Sequence, residues 1–246
     1  MKNIKIYPIP LFVTDAKFEK PKMTYLCNFG QNFTIYNYVW FIEGVEKKIL
    51  IDAGATAEMA MARGRSKEEV KQIQSLDEGL AKLNLKPGDI DTIILTQLHW
   101  DHVELAHQFV NAKFVVQKEE LSFARNPHLA AQFYDKNLFE GLNFEVINGD
   151  REITKGVRVL LTPGHTAGGQ SVAIETEKGV AVVTGFCCIQ ENFEPDEETR
   201  KVMPMIVPGI HLSIVQAYES MLKVKEIADI IIPLHEPRFA HIDKIP

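Results

Sequence analysis

Apolar and polar positions alternate along the chain in short blocks, most of them too brief for helices. Residues 4–13, 34–43 and 48–52 are rich in branched and aromatic side chains, as strands are, and residues 44–47 read as the turn joining the last two. Residues 92–96, 113–117, 157–161, 171–175 and 180–184 have the same character. Over residues 66–83 the spacing changes: Val70, Ile73, Leu76, Leu80 and Leu83 recur three to four apart, with Ser66 ahead of Glu69 in capping-box spacing. That spacing predicts an amphipathic helix. A last helix is predicted over residues 212–228, feeding the apolar run 229–233. Strands in both halves, with helices between and after them, predict an α/β protein in which two sheets share a core and helices lie outside. Residues 14–33 carry Phe18, Met23, Tyr25, Phe29 and Phe33 without clear periodicity. They read either as an apolar flap over a site or as an ordinary loop with aromatic anchors.

No linker, low-complexity block or fixed-period repeat divides the 246 residues, so one domain over residues 1–246 is expected, with the acid-rich stretch 191–200 as an exposed excursion. Hydrophobic residues at 46% and charged residues at 24% are the balance of a soluble globular protein and exclude disorder and coiled coil. Lys and Arg total 27 against 33 Asp and Glu, a formal charge of −6. That leaves no basic footprint for nucleic acid or anionic lipid. No stretch approaches the roughly 18 apolar residues of a membrane span, and no secretion signal is visible. Three cysteines, Cys27, Cys187 and Cys188, are too few for a disulfide framework, so the expected compartment is a reducing cytoplasm.

The histidines change the picture most. The apolar run 92–96 ends in Gln97-Leu-His99-Trp-Asp101-His102, the run 157–161 in Thr-Pro-Gly-His165, and the run 229–233 in Leu-His235. Three strands thus deliver histidine at their carboxyl ends, the edge where loops of α/β sheets converge on a ligand. Gln97 and His99, at i and i+2 of an extended segment, point the same way, and a turn at Trp100 brings Asp101 and His102 round from another side. Imidazole and carboxylate suit zinc, iron or manganese. A metal held by few protein ligands lowers the pKa of a bound water from about 15.7 to about 7, which makes it a nucleophile. His107, His128 and His241 have no comparable context and read as surface residues.

With these motifs the chain resembles the metallo-β-lactamase superfamily and, within it, the N-acyl homoserine lactonase-like branch. The resemblance runs over nearly the whole sequence, through Ile49-Leu-Ile-Asp52-Ala-Gly54, the loop Gln97–His102, Thr162-Pro-Gly-His165-Thr-Ala-Gly-Gly-Gln-Ser171 and Ile232-Pro-Leu-His235. It implies a four-layer αββα sandwich with a two-metal site between the sheets. By that pattern Gln97, His99 and His165 fall at the first metal position, and Asp101, His102 and His235 at the second. Asp52 falls where the family has an acid that steadies a ligand; the alternative role is capping the turn before Gly54. Dimers are common among such proteins, so the resemblance suggests a homodimer.

Two departures from the family pattern matter. Gln97 stands where a histidine is usual, and Phe186 where a carboxylate would bridge both metals. A neutral amide binds a transition metal more weakly than imidazole, and without the bridge two cations about 3.5–4 Å apart repel without compensation. One tightly held metal, zinc or iron with manganese also suitable, is therefore expected at Asp101, His102 and His235, and a second is expected to be weak or absent. Cys187 or Cys188 would supply the missing charge as thiolate, or the two are small buried residues at a strand end. Ile189 stands about where the lactonase branch carries a tyrosine. His211 and Phe186 are candidate substrate contacts. The expected activity is metal-dependent hydrolysis of a small cyclic ester or amide, with Asp101 as the catalytic residue orienting the attacking water. A mononuclear non-haem iron redox enzyme and a degenerate ligand-binding protein are the alternatives.

Overall fold

The computed structural model describes residues 4–246. Its strands, among the described residues, form two sheets. The first contains β1 (Lys5–Glu19), β2 (Asn32–Glu43), β3 (Ile49–Ile51), β4 (Val70–Gln72), β5 (Thr92–Ile94), β6 (Lys113–Gln117) and β7 (Phe144–Ile147), in the order β4-β1-β2-β3-β5-β6-β7. The second contains β8 (Arg151–Thr154), β9 (Val157–Leu161), β10 (Gln170–Thr176), β11 (Gly179–Val183) and β12 (Ile230–Ile232), in the order β12-β11-β10-β9-β8. Parallel pairing joins β3, β5, β6 and β7, and also β11 and β12.

Period-two alternation explains the layers. In β3, Ile49 and Ile51 face the second sheet while Leu50 faces the other way; in β6, Val115 faces the second sheet and Phe114 and Val116 face outward. The second sheet answers with Val172, Ile174, Ala181 and Val183 on its inner face, and Ala173 and Val182 on its outer one. Over the first sheet lie α1 (Ala57–Ala62), α2 (Leu76–Ala81), α3 (Trp100–Val103) and α4 (Lys118–Arg125), and then come α5 (Gln190–Phe193), α6 (Glu197–Val202) and α7 (Ile214–Ile227). Leu76, Leu80, Val103 and Leu121 fill the first outer core, and Met221 and Val224 of α7 the second. The four-layer αββα expectation holds. None of the described helices is long and apolar enough to cross a membrane.

The helix expected over residues 66–83 is replaced by strand and helix. Val70 pairs with Thr14 on the edge of the sheet, and Ile73 N donates to Leu11 O, so the first half is extended. The real capping box lies nine residues on, with Glu78 N donating to Ser75 Oγ at 3.1 Å and Ser75 N to Glu78 Oε2 at 2.8 Å. Ser66 and Glu69 make only a turn. Helical spacing persists because Val70 belongs to the sheet and Leu76 and Leu80 to the helix, yet all pack into one core. Residues 14–33 also differ from an ordinary loop. The β1–β2 hairpin continues through Phe18 and Phe33, with register shifts between Pro10 and Phe12 and between Thr14 and Phe18, and these shifts scramble the alternation.

Candidate metal centre and its cleft

Three loops meet at one edge of the two sheets. β5 leads into residues 97–102, where His99 caps α3 and Asp101 and His102 lie in its first turn. β9 leads into the turn carrying His165. Gly164 there has φ +124°, and a Cβ would come 2.1 Å from Ala217 N, so only glycine lets the turn sit against α7. Past β12 the chain presents His235. His99 and His165 stack edge-on with centroids 5.0 Å apart, and His102 and His235 lie 5.8 Å apart. Asp101, His102 and His235 each offer a ligand atom, all within 4.8 Å of one another.

What each ring does with its other nitrogen decides where its lone pair points. His165 Nδ1 donates to Ile210 O at 2.6 Å, His235 Nδ1 to Tyr36 O at 2.9 Å, and His102 Nδ1 to Asp52 Oδ2 at 2.7 Å. Fixing the proton on Nδ1 leaves Nε2 free as a ligand atom, the arrangement that metal-binding histidines use. Asp52 is buried with φ +61°, a left-handed conformation that a non-glycine residue rarely adopts. The backbone N–H and hydroxyl of Thr96 both donate to its carboxylate, at 2.7 to 2.9 Å. Its expected ring-steadying contact to His102 is thus present.

A second buried carboxylate, Glu120 on α4, has no counterpart in the sequence reading. Its Oε1 accepts from Leu98 N at 2.9 Å and from the Tyr134 hydroxyl at 3.1 Å; its Oε2 accepts from Gly168 N at 2.9 Å. Glu120 therefore ties the Gln97–His102 loop to the loop after His165, while the Tyr134 ring packs edge-on at 4.7 Å against His99. In the sequence it is one of two adjacent glutamates at a helix start and looks like a solvated surface charge. Only its place beside Leu121 on the inner face of α4 hints otherwise. Asn37 is a further missed residue: it donates through Nδ2 to Asp101 O at 2.9 Å and so braces the same turn.

The charges follow from burial. Burial pushes His99 well below the usual histidine range, His165 down to about 4, and His235 also down. For His102 burial acts the same way, but the carboxylates of Asp101 and Asp52 outweigh it and hold the ring at about 9. In metal-free protein the stability from neutral His165 is present above pH 6.5 and is lost as the pH falls from 6.5 towards 4, because the unfolded chain takes up the proton first. It amounts to about 3 kcal/mol. His99 and His235 add in the same sense, and the raised carboxyl of buried Glu120 partly offsets them. The contribution of His102 has the opposite sign: fully present below pH 6.5, it disappears as the pH rises towards 9. Chelated protein is therefore expected to be most stable near pH 6.5 in urea titrations; higher stability at pH 5 would contradict this assignment.

The cleft is a narrow pocket of about 70 Å³ that opens to solvent. Phe12, Phe18, Tyr36, Trp100 and Phe133 wall it, and Gln97, His99, Asp101, His102, His165 and His235 line it. Gln97 Nε2 lies 2.9 Å from His102 Nε2, and its buried Oε1 has no hydrogen-bond partner among the described residues. His211 and Phe186, expected as substrate contacts, are not brought to the cleft. Phe186 is buried in the outer core beside Phe193, since it follows β11 on the face turned towards α7. His211 donates through Nδ1 to Pro208 O and packs edge-on against Tyr25. Cys187 does line the cleft, but its Sγ lies 3.3 Å from Met23 Sδ, and burial holds the thiol well above its ordinary range. Cys188 turns away to Thr184 Oγ1, with its thiol pushed up to about 12 by burial. Neither belongs to the group of converging ligand atoms.

Two sheets between helices, with carboxylate and imidazoles gathered at the sheet edge, define a metal-dependent hydrolase of the layered αββα type. Residues 34–225 match the metallo-beta-lactamase superfamily, and the chain belongs to it, in the lactonase-like branch. An N-acyl homoserine lactonase of Bacillus cereus is 32% identical over 174 residues, covering 65% of this chain and 67% of the relative. A probable metallo-hydrolase of Methanocaldococcus jannaschii is 31% identical over 159 residues, covering 65% and 63%. Among solved structures, a quorum-quenching N-acyl homoserine lactone lactonase superposes with a TM-score of 0.77 at 26% identity, covering 97% of this chain and 94% of that one. A mutant of the Bacillus thuringiensis lactonase AiiA with N-decanoyl-L-homoserine bound at its active site gives 0.77 at 25% identity, covering 97% and 95%. These relatives favour hydrolysis over the redox and ligand-binding alternatives.

Proposed function

We propose that the protein opens small lactone rings, using one divalent metal held by Asp101, His102 and His235. The observation that carries the reading is the convergence of those three ligand atoms within 4.8 Å at the edge of an aromatic cleft. The donor set fits such an ion: His102 and His235 donate from Nδ1, which leaves Nε2 of each as the ligand atom, and the Gln97 amide that donates to His102 Nε2 at 2.9 Å would give way to the ion. Two histidines and one carboxylate with open positions suit zinc, iron or manganese. A metal there supplies a Lewis acid and a nucleophile drawn from water near neutral pH.

The chain's own residues supply the rest. Asp52 holds the His102 ring in one orientation, Asn37 braces the backbone at Asp101, and Asp101 orients the attacking water by accepting its hydrogen bond. Trp100, Phe12 and Phe133 pack the carbon skeleton of the ring and exclude bulk water. His99 and His165, uncharged at neutral pH, face the substrate carbonyl or a weakly held second cation, with Gln97 as a neutral neighbour. The similarity to N-acyl homoserine lactonases supports N-acyl homoserine lactones as the first substrates to test, beside simple lactones, cyclic amides and thioesters. Family habit also supports a homodimer, and the cysteine usage supports a cytoplasmic setting.

A panel of these substrates tests the reading. Lactone opening is expected to stop on chelation and to return with one equivalent of zinc, iron or manganese. No ring opening under any metal, or oxygen uptake in its place, would refute it.

A further inference from the structure

We propose that Arg65 is an anion receptor in the cleft and selects lactones that carry a carboxylate or a comparable negative group. The inference rests on the lactonase reading and names the substrate class for that site. Arg65 follows Gly64 in the turn after α1, where its backbone N–H donates to Ala60 O, and its side chain lines the same cleft as Asp101, His102 and His235. The guanidinium lies over the face of Phe18, 4.6 Å from the ring centroid, and Phe18 is itself buried in the cleft wall. Stacking on an aromatic face leaves the edge of the guanidinium, with its fork of N–H groups, directed elsewhere.

Several other bases of the same segments are engaged. Arg63 pairs with Asp135 at 2.6 Å, Lys71 with Asp15 at 2.9 Å, Lys20 with Glu191 at 2.5 Å, and Lys22 with Glu19. Arg65 makes no ion pair within 4.0 Å and no side-chain hydrogen bond among the described residues; the Glu19 carboxylate, itself paired with Lys22, feels its charge from further off, and no other Lys or Arg lines the cleft. A fixed, always-charged fork with unused donors, beside a site that takes a carbonyl compound, matches the planar geometry of a carboxylate. Its place on the aromatic wall, stacked on Phe18 and outside the group of converging ligand atoms, suits an acid group on a ring substituent rather than the carbonyl that is attacked.

The test compares kcat/KM for γ-carboxy-γ-butyrolactone and for its neutral methyl ester. Wild-type protein is expected to prefer the acid by about tenfold or more, the scale of a hydrogen bond to a charged group. In Arg65→Ala that ratio is expected to fall to about one, and in Arg65→Lys, which keeps the charge but loses the fork, to an intermediate value. A wild-type ratio of one or less, or a ratio unmoved by Arg65→Ala, overturns the assignment. If neither lactone is turned over, the hydrolase reading is judged on the wider substrate panel, and calorimetry decides on Arg65 separately. Monomethyl glutarate, with one carboxylate, binding more tightly than uncharged dimethyl glutarate to wild-type protein, with the difference lost in Arg65→Ala, sustains the anion site; equal binding sinks it.

Discussion

His102→Ala is expected to lose its metal on desalting and to open lactones about 10³-fold more slowly than the parent protein. Two effects act together. The substitution removes one of three converging ligand atoms, and the Lewis acidity thereby forfeited amounts to several kcal/mol of transition-state stabilisation, each 1.36 kcal/mol being a factor of ten. It also strips Asp52 of its imidazole partner, leaving a buried negative charge held by the Thr96 donors alone among the described residues, and breaking a buried charged pair costs about 3–5 kcal/mol. Asp52→Asn separates the two: every first ligand stays, the ring loses its anchor, and metal affinity is expected to fall about 10–100-fold. Metal content by mass spectrometry alongside turnover reads both. An alanine variant that still holds a full equivalent would remove His102 from the ligand set.

Glu120→Ala is expected to cost about 3 kcal/mol of stability and to lower activity although Glu120 touches neither metal nor substrate. Its carboxylate is the shared acceptor of Leu98 N, Gly168 N and the Tyr134 hydroxyl, and each buried donor left without a partner costs about 1–3 kcal/mol. Relief of the desolvated charge returns part of that sum. Glu120→Gln keeps the shape and one carbonyl acceptor, so it is expected to fall between alanine and wild type. Urea midpoints measure the stability, and the edge-on packing of Tyr134 against His99 predicts that Tyr134→Phe, which removes only the hydroxyl, has the mildest effect of the three. Equal stability of wild type and Glu120→Ala would show that the two loops are held by other means.

What the sequence disclosed and what it hid divide along physical lines. Strands such as residues 92–96 and 113–117 announce themselves because both faces are buried and the run is continuously apolar. The ligand residues were legible for a related reason: His99, His165 and His235 each stand just past such a strand, and position relative to a strand end survives without knowledge of contacts. Residues 66–83 misled because Val70, Leu76 and Leu80 share a core through two kinds of element, so a helical period arose from a strand and a short helix. Glu120, Asn37 and Arg65 were invisible because their roles depend on partners dozens of residues away: Leu98 and Gly168, Asp101, and Phe18. Phe186 failed as a substrate contact for the opposite reason. Its register against the family pattern said where it falls in the sequence, but the pleat beyond β11 decided which side of the sheet it faces.

Under the proposed function a single cation belongs to Asp101, His102 and His235. Elemental analysis of protein purified without added metal decides this, repeated on Asp101→Asn and on a His99→Ala/His165→Ala pair. About one equivalent of a divalent transition metal per chain is expected, lost in the first variant and kept in the second. Two tightly held equivalents, or one that disappears with His99 and His165 but survives the change at Asp101, would contradict it.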